Sequence, residues 1–151
     1  MELSKYLSVD RIRVPLSAAD KTAAITELVD VLAATDGLID RDVVLDAVLK
    51  REAERSTGIG YGLAIPHGKS GGCNKLVMAA GQPAEPIDFQ SIDGRPVKFI
   101  VLLVSPPDQT GPHIQALAKI SRLMNIEQFR TKIESVTTAQ ELHEAISAAE
   151  A

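Results

Sequence analysis

The sequence predicts an α/β fold, a single-domain layered sandwich in which a mixed β-sheet is flanked by helices on its faces. Residues 97–104 are almost continuously apolar, as expected of a central strand covered on both sides. Residues 25–32 have apolar side chains at i, i+3, i+4 and i+7, which form one stripe on a helix. The length of 151 residues, with no internal repeat or linker, fits one domain spanning 1–151. We expect about four to six strands.

The composition favours a globular protein whose core is built from aliphatic side chains. Hydrophobic residues make up 45% and charged residues 24%, both near the globular average, whereas aromatic residues are only 3%. The net charge is −4, and no run of lysines or arginines forms a basic stripe. Nucleic-acid binding is therefore not expected.

Compartment signals point to a soluble cytoplasmic protein. The one cysteine, Cys73, cannot form an internal disulfide, and its loop setting indicates a spectator thiol. Residues 1–10 alternate in charge where a signal peptide would be apolar. No run approaches the roughly 18 apolar residues of a membrane span.

The N-terminal part predicts a strand and then a helix. Residues 11–14 form the strand, which Pro15 closes. Ser17 or Asp20 caps the helix that follows, because a short polar side chain can accept a bond from the first free amides. Gly37 supplies the C-terminal stop.

A second helix follows a cap at Asp40 and carries two arginines, Arg51 and Arg55, near the middle of its apolar arc. Such an arginine either lays its stem on the core with its head in water, or offers its planar fork to the oxygens of a phosphate. The residues alone leave both alternatives open.

The stretch after this helix contains the clearest candidate for chemistry. Glycines occupy alternate positions of 58–62, where they permit positive φ and close backbone approach. Residues 63–65 predict a short buried strand, and Pro66 cannot donate to a sheet ladder. His67 is therefore expected where regular pairing stops.

The second half predicts further strands and three helices. Residues 76–80 form a strand before the central one. Pro112 suits the first turn of a helix, which places His113 at a helix N-terminus, where a partial positive charge keeps the imidazole neutral. Two more helices follow, the last one starting at a capping box of Thr138 and Glu141.

The sequence comes close to several familiar motifs but matches none of them. Residues 62–70 resemble a nucleotide P-loop, but five residues separate the glycines where the motif requires four. A helix precedes and a strand follows the glycines of 58–62, which is the reverse of the dinucleotide fingerprint. His67 and His113 lack a third ligand at metal-binding spacing, and no serine lies in a G-x-S-x-G elbow. No metal or cofactor is expected.

A series of short motifs covers most of the chain. It consists of Arg51-Glu52, Ser56-Thr57-Gly58-Ile59-Gly60, Ala64-Ile65-Pro66-His67-Gly68, His113, Leu117, Ile120-Ser121-Arg122-Leu123-Met124 and Phe129-Arg130. Together they resemble the fructose and mannitol type (type 2) enzyme IIA domains of the bacterial sugar phosphotransferase system, including the nitrogen-related regulatory branch. Tyr61 stands where many of those domains have a small polar or acidic residue. The resemblance implies the same α/β architecture.

The resemblance also implies a phosphocarrier. His67 would accept a phosphoryl group from the histidine phosphocarrier protein and pass it to an enzyme IIB-type acceptor. Arg51 would neutralise phosphoryl charge, and His113 would donate a hydrogen bond. Amides or hydroxyls of the glycine loop would hold the remaining oxygens, at Ser56, Thr57, Gly58 and Gly60. No metal or nucleotide is required.

A regulatory binding module is the competing hypothesis. In this case the phosphorylation state of His67 controls which target protein docks. The sequence has no transporter segment, and nothing in it names a sugar or a partner, so both hypotheses stay open.

Overall fold

The structure, a computed structural model that describes residues 1–151, is a mixed six-stranded sheet with helices on both faces. The strands are β1 (Ile12–Leu16), β2 (Gly58–Gly60), β3 (Leu63–Ala64), β4 (His67–Lys69), β5 (Val77–Pro83) and β6 (Phe99–Ser105). The helices are α1 (Leu3–Tyr6), α2 (Lys21–Ala34), α3 (Arg41–Glu54), α4 (Thr110–Leu123), α5 (Glu127–Ile133) and α6 (Ala139–Glu150), with a 3₁₀ turn at Val9–Arg11. The predicted fold class is confirmed. None of the helices combines the length and apolarity needed to cross a membrane.

Strand β6 is the centre of the sheet, as its apolar sequence predicts, and every residue in it is buried. The strand order is β1-β5-β6-β3-β2, and β4 also pairs with β6. Strands β5 and β6 are antiparallel, whereas β3 and β4 both run parallel to β6. The segment containing His67 therefore lies beside the central strand.

The two faces of β6 point into two separate hydrophobic cores. Val101 and Leu103 belong to the core covered by α1, α4, α5 and α6. Ile100 and Leu102 belong to the core covered by α2 and α3. This alternation follows from the period of two along a strand, and burying each such side chain contributes roughly 1.5–3 kcal/mol.

The predicted caps of α2 are only partly correct. Asp20 is the N-cap and accepts a hydrogen bond from the Ala23 amide at 2.8 Å. At the C-terminus the left-handed residue is Asp36, with φ of 58°, and not Gly37. The amide of Gly37 still donates to the Leu32 carbonyl at 2.9 Å, so this glycine closes the turn that follows the helix.

Two prolines do not act as predicted. Pro15 lies within β1 and does not end it, because β1 is an edge strand whose outer side needs no amide donor. Pro66 interrupts the pairing with β6 only briefly, since its carbonyl accepts from the Leu103 amide and β4 resumes at His67. The expectation that pairing stops at His67 is therefore wrong, and the sheet itself holds this histidine.

Candidate active site

The two histidines singled out by the sequence meet at one edge of the sheet. His67 is the first residue of β4, and His113 is the fourth residue of α4, just beyond the end of β6. Their ring centroids are 5.5 Å apart, and the ring planes make an angle of 65°. Two groups distant in sequence therefore form one site.

The ring of His67 has a defined protonation pattern. Its Nδ1 lies 2.7 Å from the carbonyl oxygen of Ile65. A carbonyl oxygen can only accept, so Nδ1 carries the proton and Nε2 keeps a lone pair. Burial lowers the pKa of His67 below 6.5, and the nearby Arg51 charge acts in the same direction, whereas the Ile65 carbonyl opposes both. At neutral pH this ring is therefore uncharged, with a lone pair on Nε2.

His113 is almost completely buried, with 4% of its surface exposed. Its Nδ1 lies 2.6 Å from the hydroxyl of Ser105, the last residue of β6. Burial, helped by the neighbouring His67 and by the charge of Lys69, lowers the pKa of His113 to about 4. The imidazole is neutral, as expected, but burial and not the helix N-terminus is the main cause.

Ser105 was missed by the sequence prediction. In the sequence it only marks the end of an apolar strand before two prolines. Its proximity to His113 depends on where α4 returns to the sheet, and no local pattern signals that return.

Arg51 lies in the last turn of α3 and lines a cleft of about 320 Å³ together with His67. Its Nη1 donates to the carbonyl of Arg55 at 2.8 Å, and the guanidinium makes no other hydrogen bond. Arg55 also lines the cleft, but it follows the helix in extended conformation, with φ of −166°. The prediction that both arginines lie on the helix is therefore wrong for Arg55.

The hydroxyl of Ser56, the first in the glycine loop, is hydrogen-bonded to the backbone on both sides. Ser56 Oγ donates to the Phe89 carbonyl at 2.6 Å and accepts from the Gly58 amide at 3.1 Å. Gly58 is buried, and a Cβ there would lie 2.2 Å from Ser91 Oγ. Gly60 has φ of 118°, which favours glycine. The role of Ser56, Gly58 and Gly60 in phosphoryl binding stays a prediction.

Thr57 is held by Glu52, a buried carboxylate at the end of α3. Both the amide and the hydroxyl of Thr57 donate to this carboxylate, the amide at 3.0 Å. Glu52 also pairs with Lys21, whose Nζ lies 2.7 Å from Oε2 and 3.1 Å from the Phe89 carbonyl oxygen. One carboxylate thus joins α2, α3 and the glycine loop, and the phosphoryl-binding role of Thr57 also stays a prediction.

A second opening, of about 490 Å³, lies between α3 and α4 and is lined by both histidines. Its charged lining consists of Lys50, Arg51, Lys69 and one carboxylate, Glu54. Lys69 lies two residues beyond His67 on β4 and donates to the Thr110 hydroxyl at 3.0 Å. No three His, Cys, Asp or Glu side chains form a cluster that could hold a metal. The surroundings of His67 thus carry a positive surplus, which suits an anionic group.

Comparison with known proteins identifies the family. Residues 5–149 match the family model described as phosphoenolpyruvate-dependent sugar phosphotransferase system, EIIA 2. The fructose-specific EIIA component of Haloferax volcanii is 34% identical over 144 residues, which cover 93% of this chain and 94% of that protein.

Solved structures show the same fold. The nitrogen regulatory protein IIA-Ntr of Neisseria meningitidis has a TM-score of 0.87 at 27% identity, covering 95% of this chain and 98% of that one. The mannitol enzyme IIA of Escherichia coli, solved in complex with phosphorylated enzyme IIB, has a TM-score of 0.80 at 19% identity, covering 94% and 97%. The family model, the fructose-specific relative and the fold agree with the resemblance found in the sequence, and the chain belongs to the type-2 enzyme IIA family of the sugar phosphotransferase system.

Proposed function

We propose that this protein accepts a phosphoryl group on Nε2 of His67 from the phosphorylated histidine phosphocarrier protein and passes it to an enzyme IIB-type acceptor. The observation that carries the proposal is the bond from Nδ1 of His67 to the Ile65 carbonyl, which leaves the Nε2 lone pair at a cationic cleft. Family membership supports phosphoryl transfer in this system. The complex of a mannitol enzyme IIA with phosphorylated enzyme IIB supports the class of acceptor.

The transfer requires positioning and charge stabilisation more than covalent chemistry from the protein. The Nε2 lone pair of His67 forms a bond to phosphorus as the P–N bond of the donor phosphohistidine breaks, and the donor nitrogen keeps that electron pair. The proton on Nδ1 stays in place, and the Ile65 carbonyl stabilises the positive charge that the ring gains. The phosphoryl group needs no metal or nucleotide to move.

Three further groups have proposed roles around the phosphoryl group. The guanidinium of Arg51 neutralises charge on its oxygens, and His113 donates a hydrogen bond to one of them. The loop residues Ser56 and Thr57 line the cleft beside His67, and Gly58 and Gly60 follow them in the same loop. Contacts from the Ser56 hydroxyl, or from the amide and hydroxyl of Thr57, to the phosphoryl group require exchange of the hydrogen bonds now made to Phe89 and Glu52, and the Gly58 amide would have to release Ser56 Oγ.

A regulatory role is the second candidate function. The likeness to IIA-Ntr supports it, because that protein is a nitrogen regulator at 27% identity and nearly full coverage. Exposed apolar side chains near the site, Ile59, Ile92 and Ile114, offer a surface on which a target protein can dock. Phosphorylation of His67 would then change which target binds. Both hypotheses place the protein in the cytoplasm with its proposed partners.

The test is incubation with phosphorylated histidine phosphocarrier protein, followed by mapping of the label. We expect one acid-labile, base-stable phosphohistidine at His67, and its loss in His67→Ala. The matched control is His143→Ala, because His143 lies on α6, where its Nδ1 contacts the Leu7 carbonyl. Label that persists in His67→Ala, or that maps to serine, contradicts the proposal.

Onward transfer separates the two candidate functions. Rapid loss of the label to cysteine-bearing enzyme IIB-type acceptors supports the carrier. A stable phosphoprotein whose binding to target proteins differs from that of the unphosphorylated form supports the regulator.

A further inference from the structure

The hydroxyl of Ser105 has one hydrogen-bond partner, the imidazole of His113. Ser105 is completely buried, and its Oγ lies 2.6 Å from Nδ1 of His113. No other donor or acceptor in the chain bonds to this hydroxyl. The direction of this single bond decides where the proton of the neutral imidazole resides.

This hydrogen bond can run in either direction, and the burial of Ser105 decides which direction is favoured. If Nδ1 donated to Oγ, the hydroxyl proton of Ser105 would be left without an acceptor on a side chain that is completely buried. Buried donors of this kind are rarely left unpaired. If the hydroxyl donates to Nδ1, its proton is satisfied, and the imidazole proton resides on Nε2. The second direction is therefore favoured.

The backbone holds Ser105 firmly in place. Strands β4 and β6 pair at this position, with Lys69 opposite Ser105. The Ser105 carbonyl also accepts from the Ser70 amide at 2.9 Å. Because the main chain is bonded on this side, rotation about χ1 is the main freedom left to the hydroxyl.

In both histidines Nδ1 has a hydrogen-bond partner, but one partner is an acceptor and the other is a donor. Nδ1 of His67 faces a carbonyl, which can only accept, and Nδ1 of His113 faces a hydroxyl that donates. The first ring consequently has a lone pair on Nε2, and the second has a proton there. Both rings line the opening between α3 and α4.

We propose that Ser105 is a positioning residue that fixes His113 in the Nε2–H form and thereby makes it a hydrogen-bond donor toward the group carried by His67. The donor role of His113 rests on the proposed function, whereas the protonation pattern set by Ser105 does not. The two parts can therefore be tested separately.

The protonation pattern is tested by long-range ¹H–¹⁵N correlation spectra of the imidazoles in the unphosphorylated protein at pH 7. We expect wild-type His113 to have a protonated Nε2 and an unprotonated Nδ1. In Ser105→Ala the ¹⁵N shifts of His113 should move toward a mixture of the two neutral forms. Ser70→Ala is the matched control, because Ser70 is a buried serine whose hydroxyl accepts from Gly72 and contacts neither histidine. A protonated Nδ1 in wild type, or unchanged shifts in Ser105→Ala, overturns the proposal.

The positioning role is tested by the rate of phosphoryl transfer to His67. We expect Ser105→Ala to slow transfer about tenfold and Ser105→Thr, which keeps a hydroxyl, to lose less. In a His113→Gln background Ser105→Ala should cause no further loss, because the residue acts through His113. An equal loss in both backgrounds would show that Ser105 only supports the fold and would overturn the positioning role. Absence of any label on wild-type His67 would contradict the proposed function, while the spectra would still test the bond.

Discussion

At the scale of single residues, the two rings of the site differ less in chemistry than in what their Nδ1 atoms touch. The backbone carbonyl next to His67 leaves a lone pair on its Nε2, and the proposed bond from the Ser105 hydroxyl to His113 leaves a proton on Nε2 of that ring. Neither oxygen comes from a charged group. Under the proposed function, two small neutral contacts are therefore sufficient to make one ring the nucleophile and the other the hydrogen-bond donor.

The same scale gives a prediction for Arg51. Arg51→Lys should remain folded but accept the phosphoryl group at least about tenfold more slowly, which is roughly 1.4 kcal/mol of barrier. Lysine keeps the charge but loses the planar fork, and with it the ability to hold the Arg55 carbonyl and a phosphoryl oxygen together. Quench-flow transfer rates measure the effect, with circular dichroism as the check on folding.

Arg55→Lys is the matched control for this change. Arg51 hydrogen bonds to the backbone carbonyl of Arg55, which this substitution keeps, so the Arg55 side chain should matter less for transfer. If Arg55→Lys is slow and Arg51→Lys is not, the phosphoryl-binding arginine has been assigned to the wrong residue.

At the scale of secondary-structure elements, the glycine loop depends on an ion pair formed between two helices. Lys21 is the first residue of α2 and Glu52 lies near the end of α3, with side-chain exposures of 19% and 5%. Loss of one partner leaves the other charge buried, which costs far more than loss of a surface pair. The position of Thr57 is tied to that pair, since Glu52 binds both its amide and its hydroxyl.

We therefore predict that Lys21→Met lowers the free energy of unfolding by about 3 kcal/mol. The control is Lys50→Met on α3, whose partner Asp46 is 63% exposed and whose own side chain is 77% exposed, so that the expected cost is about 0.5 kcal/mol or less. Urea unfolding of both variants at pH 7 measures the difference. Equal stability of the two variants would show that the buried pair does not hold the loop.

Element prediction succeeds where information is local. The apolar stripe of 25–32 and the Asp20 cap are sufficient to place α2, and the apolar run of 97–104 is sufficient to place β6. Prediction fails for Pro15 and Pro66, because whether a strand tolerates proline depends on its neighbours in the sheet.

The site follows the same rule. The motif around His67 is contiguous, so the residue type and its glycine loop could be singled out from sequence. Ser105 and Lys21 could not, because their partners depend on tertiary structure: the Ser105–His113 bond forms where the chain turns from β6 into α4, and the Lys21–Glu52 pair forms where α2 packs beside α3. Arg55 was placed on α3 because helical periodicity gives no warning of the residue at which a helix ends.

At the scale of the whole molecule, His113 makes stability depend on pH. Its pKa is about 4 in the folded protein and near 6.5 when unfolded, so the unfolded chain binds more protons between these values. The contribution of the neutral His113 to the free energy of unfolding is therefore fully present above pH 6.5, and it is lost as the pH falls toward 4. The lowered pKa of His67 acts in the same direction.

We predict that acidification from pH 7 to pH 5 lowers the free energy of unfolding of wild type by about 2 kcal/mol more than that of His113→Gln. Glutamine does not titrate, and carboxylates titrate in both proteins, so the difference isolates His113. Urea unfolding at a series of pH values gives the two curves. Parallel curves would show that burial does not shift this imidazole.

The charges around His67 affect how long a phosphorylated donor protein would stay bound to this one. Lys50, Arg51 and Lys69 against Glu54 leave two positive charges in surplus at the opening between α3 and α4. A phosphoryl group carries roughly two negative charges, so its arrival cancels the local field that attracts a phosphorylated donor within about 8–10 Å. The donor meanwhile loses the charge that was attracted. Under the proposed function, transfer would therefore weaken the electrostatic attraction between this protein and its donor, and the same step that moves the phosphoryl group would favour their dissociation.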